Sequence, residues 1–332
     1  MHTLGDEDDL LEDVKEGVEI AMHRQGYGED AVDPIKLNKL AYFAIREFEL
    51  PITYGWYKYG PAPVNVARQV VDPSPRPSEE VAAADEPRIR NLNHQNRSPE
   101  EYSYFYAEDL AEFERILETP TKEYLVTFYF EHAPDEFRDL YIASVELQQV
   151  LDEIKDDPSW HDEGDEYVAL LERRFPRLIR EVRSNPRLQE AEAREAIERY
   201  EQLFTDVVTT ASRQSELTEA QQRFIGRLVD TFYGGAWNYV ALLVSRATVD
   251  LSPGTNQQQL RNSIERDLQD IRTECPREHS RLAERATQFD LRSDSTESNS
   301  ARTDGDQLSG DAGKDFDDEN TASLEEIRQK LE

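Results

Sequence analysis

The stretch from Asp33 to Val66, DPIKLNKLAYFAIREFELPITYGWYKYGPAPVNV, carries the clearest structural signals in the chain. It begins with Asp33, a good N-cap, and Pro34, which suits the first helical position. Apolar residues then recur at helical spacing, at Leu37, Leu40, Ala41, Ala44, Ile45 and Phe48. This pattern predicts a buried helix that Pro51 ends.

An aromatic segment follows this helix. Its residues alternate in the order Ile52, Thr53, Tyr54, Gly55, Trp56 and Tyr57. Alternation with period two predicts a short strand pair or an extended arm over residues 52–59. Gly60 and Pro61 predict a turn, and Pro63 predicts that the irregular backbone continues.

The remaining chain reads mainly as helices, so we predict an all-α, multi-helical fold with at most a small β-hairpin near residues 52–59. We expect a helical domain over residues 1–156 with an exposed loop at 72–97, and a helical bundle over 157–290. Residues 291–332 are rich in Ser, Asp, Thr and Gly, which predicts a disordered acidic tail, with a short helix at 323–328 as an open alternative.

Two helix ends are predicted from local signals. Ser98 to Glu101 matches a capping box and predicts one helix that runs to about Glu118. A narrow apolar stripe predicts a second helix that Pro276 ends. The residues of that stripe are Leu260, Ile264, Leu268, Ile271 and Cys275.

The charge is strongly negative and widely distributed. The 332 residues include 70 acidic and 38 basic side chains, for a net charge of −32, and residues 291–332 account for only −7 of it. Such acidity, with arginine far ahead of lysine, is typical of proteins from a salty cytoplasm, where salt screens the repulsion. It disfavours non-specific binding to nucleic acids, which needs a basic surface.

Signals for chemistry, export and membrane insertion are missing from the sequence. The single cysteine, Cys275, excludes an intramolecular disulfide, and the six histidines show no spacing typical of metal ligands. No phosphate-binding, dinucleotide-binding, hydrolase or zinc-protease motif occurs. With an acidic N-terminus and short apolar runs, we expect a cytoplasmic protein with no membrane contact, catalytic residue, metal or cofactor.

The helix and the aromatic segment resemble the Panacea family of antitoxin domains. The resemblance rests on Lys36, Leu37, Lys39, Leu40, Tyr42, Phe43 and Ala44, followed by Trp56, Gly60 and Pro61, about a tenth of the chain. It implies a small, mostly helical domain that binds and neutralises a protein toxin. In the family a helix usually follows the Gly-Pro pair. The prolines at 63, 73, 75 and 77 depart from this pattern.

This resemblance predicts a protein-binding surface. The expected contact residues are Lys36, Lys39, Tyr42, Tyr54, Trp56, Tyr57, Tyr59, Gly60 and Pro61. Only eight residues of the chain are lysine, and three of them, Lys36, Lys39 and Lys58, lie in this stretch. Tyrosine and tryptophan are enriched at binding hot spots, although the same residues are also ordinary core components.

Two other functions stay open from the sequence. One is an enzyme whose site lacks a recognisable motif, for example one acting on nucleotides in a pocket between helices. The other is a helical adaptor or regulatory protein unrelated to toxins. A protein partner, for which a cognate toxin is one candidate, remains the first expectation.

Overall fold

The structure, a computed structural model, describes residues 4–64 and 97–292. The exposed loop predicted at 72–97 lies outside the described residues except for Arg97. The predicted tail lies outside them from residue 293 onward, and so does the short helix considered at 323–328.

The described part of the first half forms helices and one β-hairpin. The N-cap predicted at Asp33 is confirmed, because its carboxylate accepts a hydrogen bond of 2.8 Å from the Lys36 amide. The helices are α1 (Leu4–Gln25), α2 (Pro34–Glu47), α3 (Pro99–Tyr104), α4 (Phe113–Glu118), α5 (Thr121–His132) and α6 (Arg138–Asp156). The hairpin strands are β1 (Tyr54–Tyr57) and β2 (Gly60–Pro63), paired antiparallel.

Longer helices make up the second half. They are α7 (Gly164–Ser184), α8 (Ala191–Ala211), α9 (Glu219–Gly234), α10 (Ala236–Thr248) and α11 (Gln257–Gln288). The hairpin is the only sheet within residues 4–64 and 97–292. The predicted all-α fold with a small hairpin is therefore confirmed.

The prediction of irregular backbone after Gly60 was wrong, since residues 60–63 form β2. Trp56 pairs with Pro61 and Tyr54 with Pro63. Proline cannot donate to a ladder, but it is tolerated on an edge strand, and both strands of a hairpin are edges. β2 lies against α2, and β1 lies against α10.

The single helix predicted from Ser98 to Glu118 is interrupted. The capping box is present, but residues Phe105–Asp109 form a turn of π-helix, and α4 begins only at Phe113. Here the Tyr106 ring stacks on Phe113 at 5.7 Å and its hydroxyl donates to the Leu40 carbonyl at 3.0 Å. These contacts stabilise the irregular turn. The second involves Leu40, which is distant in sequence, so a local capping signal could not reveal the turn.

The end predicted at Pro276 was also wrong, because α11 continues to Gln288. A proline inside a helix costs about 3 kcal/mol. The apolar stripe resumes beyond it, with Leu282 and Ala286 fully buried. Burial of these side chains offsets the cost, so tertiary packing decides the helix length.

Buried residues from Leu10 to Leu291 belong to one hydrophobic cluster. This cluster includes residues on both sides of the boundary proposed at 156/157. The division into two domains stays a prediction.

A buried carboxylate joins three segments that are distant in sequence. Glu7 on α1 accepts hydrogen bonds from the amides of Thr53 (2.7 Å) and Thr255 (2.9 Å), and from both threonine hydroxyls. Gly254 lets its segment approach the segment at Thr53, since a Cβ at Gly254 would lie 2.1 Å from the Thr53 nitrogen. Glu7 thus fixes the backbone from which the hairpin starts.

We expect Glu7→Gln to lower the free energy of unfolding by about 1–3 kcal/mol, because an amide nitrogen would then face a buried N–H donor. Urea unfolding followed by circular dichroism measures the change. The matched control is Asp9→Asn on the exposed side of α1, which should change stability by less than about 0.5 kcal/mol. Equal effects of the two substitutions would contradict this role of Glu7.

Candidate functional site

The turn of the hairpin requires a glycine. Lys58 and Tyr59 connect the strands, and Gly60 follows with φ of +84°. This conformation is open to glycine at no steric cost. A Cβ at Gly60 would also lie 2.9 Å from the Tyr129 ring and 3.1 Å from Lys39 Nζ. The turn is therefore both left-handed at this position and tightly packed.

Three successive carbonyl oxygens at the turn accept hydrogen bonds from buried side chains of three helices. The pairs are Tyr141 Oη to the Tyr57 oxygen (2.8 Å), Trp237 Nε1 to the Lys58 oxygen (3.1 Å) and Lys39 Nζ to the Tyr59 oxygen. The donors lie on α6, α10 and α2. The tip of the hairpin is thereby fixed in position from three sides.

Aromatic rings fill the space beneath the hairpin. The Tyr42 ring lies edge-on to Tyr54 at 5.4 Å and to Trp56 at 6.0 Å. The Trp56 ring lies 5.5 Å from Tyr141. These rings are core components and support the turn from below.

The structure buries most of the nine predicted contact residues. Seven are buried: Lys36, Lys39, Tyr42, Tyr54, Trp56, Gly60 and Pro61. Tyr57 and Tyr59 are partly exposed. That these residues contact a partner stays a prediction, and in this conformation a direct contact is limited to the tip of the hairpin.

A narrow cleft of about 30 Å³ opens beside the tip, lined by Ile35, Asn38, Lys39, residues 57–62 and Asn238. Sequence reasoning missed Ile35, Asn38, Lys58 and Asn238 as members of this site. Two signals were present: Asn38 is polar on an otherwise apolar helix face, and Lys58 is one of few lysines. The lining of the cleft contains no carboxylate.

Burial weakens the protonation of both lysines in the cleft. It lowers the pKa of Lys39 to about 7, although the charge of Asp33 opposes the shift. Burial also lowers the pKa of the partly exposed Lys58. Lys36 does not line the cleft, and its ammonium donates to the Leu117 carbonyl at 3.0 Å.

Glu112, Glu131 and His132 form a compact group that could hold a metal ion by distance alone. Their ion pairs argue against it. Arg115 lies 3.3 Å from Glu112 and 3.0 Å from Glu131, and His132 lies 3.3 Å from Glu112. Burial raises the pKa of Glu112, but the hydrogen bonds and charges of His132 and Arg115 outweigh it, so the pKa is lowered. Arg115 already pairs with both carboxylates, so the arrangement is an ion-pair cluster.

A second cleft, of about 110 Å³, lies between α8 and α11 and contains Tyr200, Cys275 and His279. Burial raises the pKa of the Cys275 thiol to about 11, which keeps it protonated near neutral pH. His279 Nε2 lies 3.1 Å from the Arg199 carbonyl, so a neutral ring donates there. The cleft therefore lacks an activated nucleophile.

A family model described as a domain of unknown function, DUF8098, matches residues 1–319 of the chain. No curated protein and no solved structure was found that matches it. None of the helices in the described part of the chain combines the length and the apolar character needed to span a bilayer.

The Lys39 environment predicts a pH dependence of stability. The pKa of Lys39 is about 7 in the folded protein and 10.5 in its ordinary state, so between these values the unfolded chain binds more protons. The free energy of unfolding should rise from pH 7 to pH 9 by up to about 1.4 kcal/mol per pH unit. Below pH 7 Lys39 is protonated in both the folded and the unfolded state, so this gain in stability is absent. Urea unfolding at several pH values measures it.

The matched variants for this measurement are Lys39→Met and Lys122→Met. Lys122 is 39% exposed and pairs with Asp152. We expect the rise with pH to shrink in Lys39→Met and to persist in Lys122→Met. A wild-type pH profile in Lys39→Met would show that Lys39 is not the titrating group.

Proposed function

The chain belongs to the DUF8098 family, and we propose that it is a non-catalytic protein that binds and sequesters another protein. By its helix and aromatic hairpin it resembles the Panacea antitoxins, so a toxin is the first partner to test. The observation that supports this proposal most is the fixed tip of the hairpin. Tyr57, Lys58 and Tyr59 lie there, partly exposed, on backbone held by three helices.

A fixed tip suits protein recognition for an energetic reason. Association costs free energy whenever backbone and side chains must be ordered on binding. Here the carbonyl oxygens at the turn are already bonded, so little ordering of the backbone remains. Tyrosine adds a large contact area with few rotatable bonds.

The size of the cleft favours a protein partner over a small substrate at this position. Pockets for small molecules typically measure about 300–1,000 Å³. The cleft beside the tip, at about 30 Å³, admits a single side-chain head group.

The second candidate is an enzyme with its site in the cleft between α8 and α11. One observation favours it: the buried Tyr200 hydroxyl has no hydrogen-bond partner among the described residues. The protonated Cys275 thiol weakens it. A thermal shift with nucleotides that is lost in Tyr200→Phe would favour this candidate over the first.

The proposal includes a cytoplasmic location and adaptation to high salt. The net charge of −32 is its basis. At molar salt the Debye length is about 3 Å, so repulsion between charges farther apart is screened. A helical adaptor differs from an antitoxin only in its partner. A neighbouring gene that encodes a toxin would favour the antitoxin over the adaptor.

The test is co-expression with the product of the adjacent gene. If that product inhibits growth alone, the wild-type chain should restore growth and co-purify with it at high salt. Tyr59→Ala should weaken binding at least tenfold, while Tyr59→Phe, which keeps the ring, should bind nearly as well. Trp56 is not a suitable target, because losing this buried ring would cost about 3–5 kcal/mol of stability.

The matched control is Tyr104→Ala, which removes an equally large ring that is 52% exposed outside the cleft. All variants are compared by thermal midpoint to confirm folding. Undiminished binding by folded Tyr59→Ala would show that the tip of the hairpin is not the interface.

A further inference from the structure

We propose that the cleft beside the hairpin tip receives a carboxylate side chain, an aspartate or a glutamate, of the protein partner, with Lys58 as its cation. This inference rests on the proposed function and specifies the chemistry of the partner. It follows from charge, from an unpaired polar group and from size.

The charged side chains that line the cleft have the opposite sign to the net charge of the chain. Acidic residues outnumber basic ones by 70 to 38, yet no Asp or Glu lines this cleft, and two of the eight lysines do. Such a local field attracts an anion to a protein whose surface otherwise repels it. An acidic group on a partner would therefore be directed to this position.

Lys58 also differs from Lys122 and Lys155, which are likewise partly exposed. Lys122 pairs with Asp152, and Lys155 pairs with Asp230 at 2.6 Å. In the described part of the chain, the Lys58 ammonium has no hydrogen bond or ion pair. Burial alone lowers its pKa, and no neighbouring carboxylate opposes the shift. An incoming carboxylate would supply the missing counter-charge.

Asn38 supplies a second, independent observation. Its side chain is 6% exposed, it lines the cleft, and its Oδ1 has no hydrogen-bond partner among the described residues. A buried amide oxygen left unpaired is costly. A carboxylate only accepts hydrogen bonds, so the group that donates to Asn38 must be an N–H of the partner next to the inserted side chain.

The size of the cleft selects the form of the carboxylate. About 30 Å³ accommodates a carboxylate head group on a narrow stem. A C-terminal carboxylate is bulkier, because its Cα also carries a side chain. A glutamate or aspartate can insert its head group while its backbone stays at the mouth of the cleft.

The cleft can be tested without the partner. The protein is labelled with ¹³C at the lysine ε positions, which gives eight signals at most. Titration with N-acetylglutamate α-methylamide at millimolar concentration should shift the Lys58 signal saturably and raise the pKa of Lys58. The isosteric N-acetylglutamine methylamide should leave it unchanged. Equal shifts with both compounds, or no shift of Lys58, would overturn the inference.

Charge reversal tests the same site against the co-expressed neighbouring gene product. Lys58→Glu should weaken binding at least tenfold, and Lys15→Glu, on α1 outside the cleft, should not. If Lys58→Glu binds normally while Tyr59→Ala does not, the proposed function stands and the carboxylate site is wrong. If no partner binds the wild type, the proposed function fails, and the titration alone decides whether the cleft takes a carboxylate.

Discussion

The arrangement of the site depends on the hydrogen bonds that hold the hairpin turn. A turn inserted among helices exposes carbonyl oxygens to an apolar interior, and unpaired they would be costly. Lys39, Tyr141 and Trp237 satisfy them from three directions. Burial lowers the pKa of Lys39, and a neutral amine can still donate a hydrogen bond to the Tyr59 carbonyl. Fixing the turn in this way accounts for a buried lysine that would otherwise be unfavourable.

Most of the fold could be predicted from local signals in the sequence. The cap at Asp33 and the apolar periodicity of α2 gave the position of that helix, and similar patterns gave the all-α class. The errors share one cause. The strand at 60–63, the π-turn at 105–109 and the continuation past Pro276 all depend on neighbours distant in sequence, which override local propensity.

The candidate site was harder to predict than the fold. Sequence reasoning selected the segment that forms the hairpin and part of the cleft. Aromatic residues suit a core and an interface equally well, and Trp56 lies in the core. Asn38 was overlooked because a single polar residue on an apolar helix carries little weight before its surroundings are known. The scarcity of lysine was the more useful signal, because in so acidic a chain each unpaired cation is informative.

The hydrogen bonds of the hairpin also set when its surface can exist during synthesis of the chain. Tyr54 is bonded to Ser252, 198 residues away, and the Lys58 carbonyl to Trp237, 179 residues away. A nascent chain on the ribosome therefore carries the complete aromatic segment long before the helices that position it are made. The proposed recognition surface therefore reaches its final form only after translation has passed Ser252.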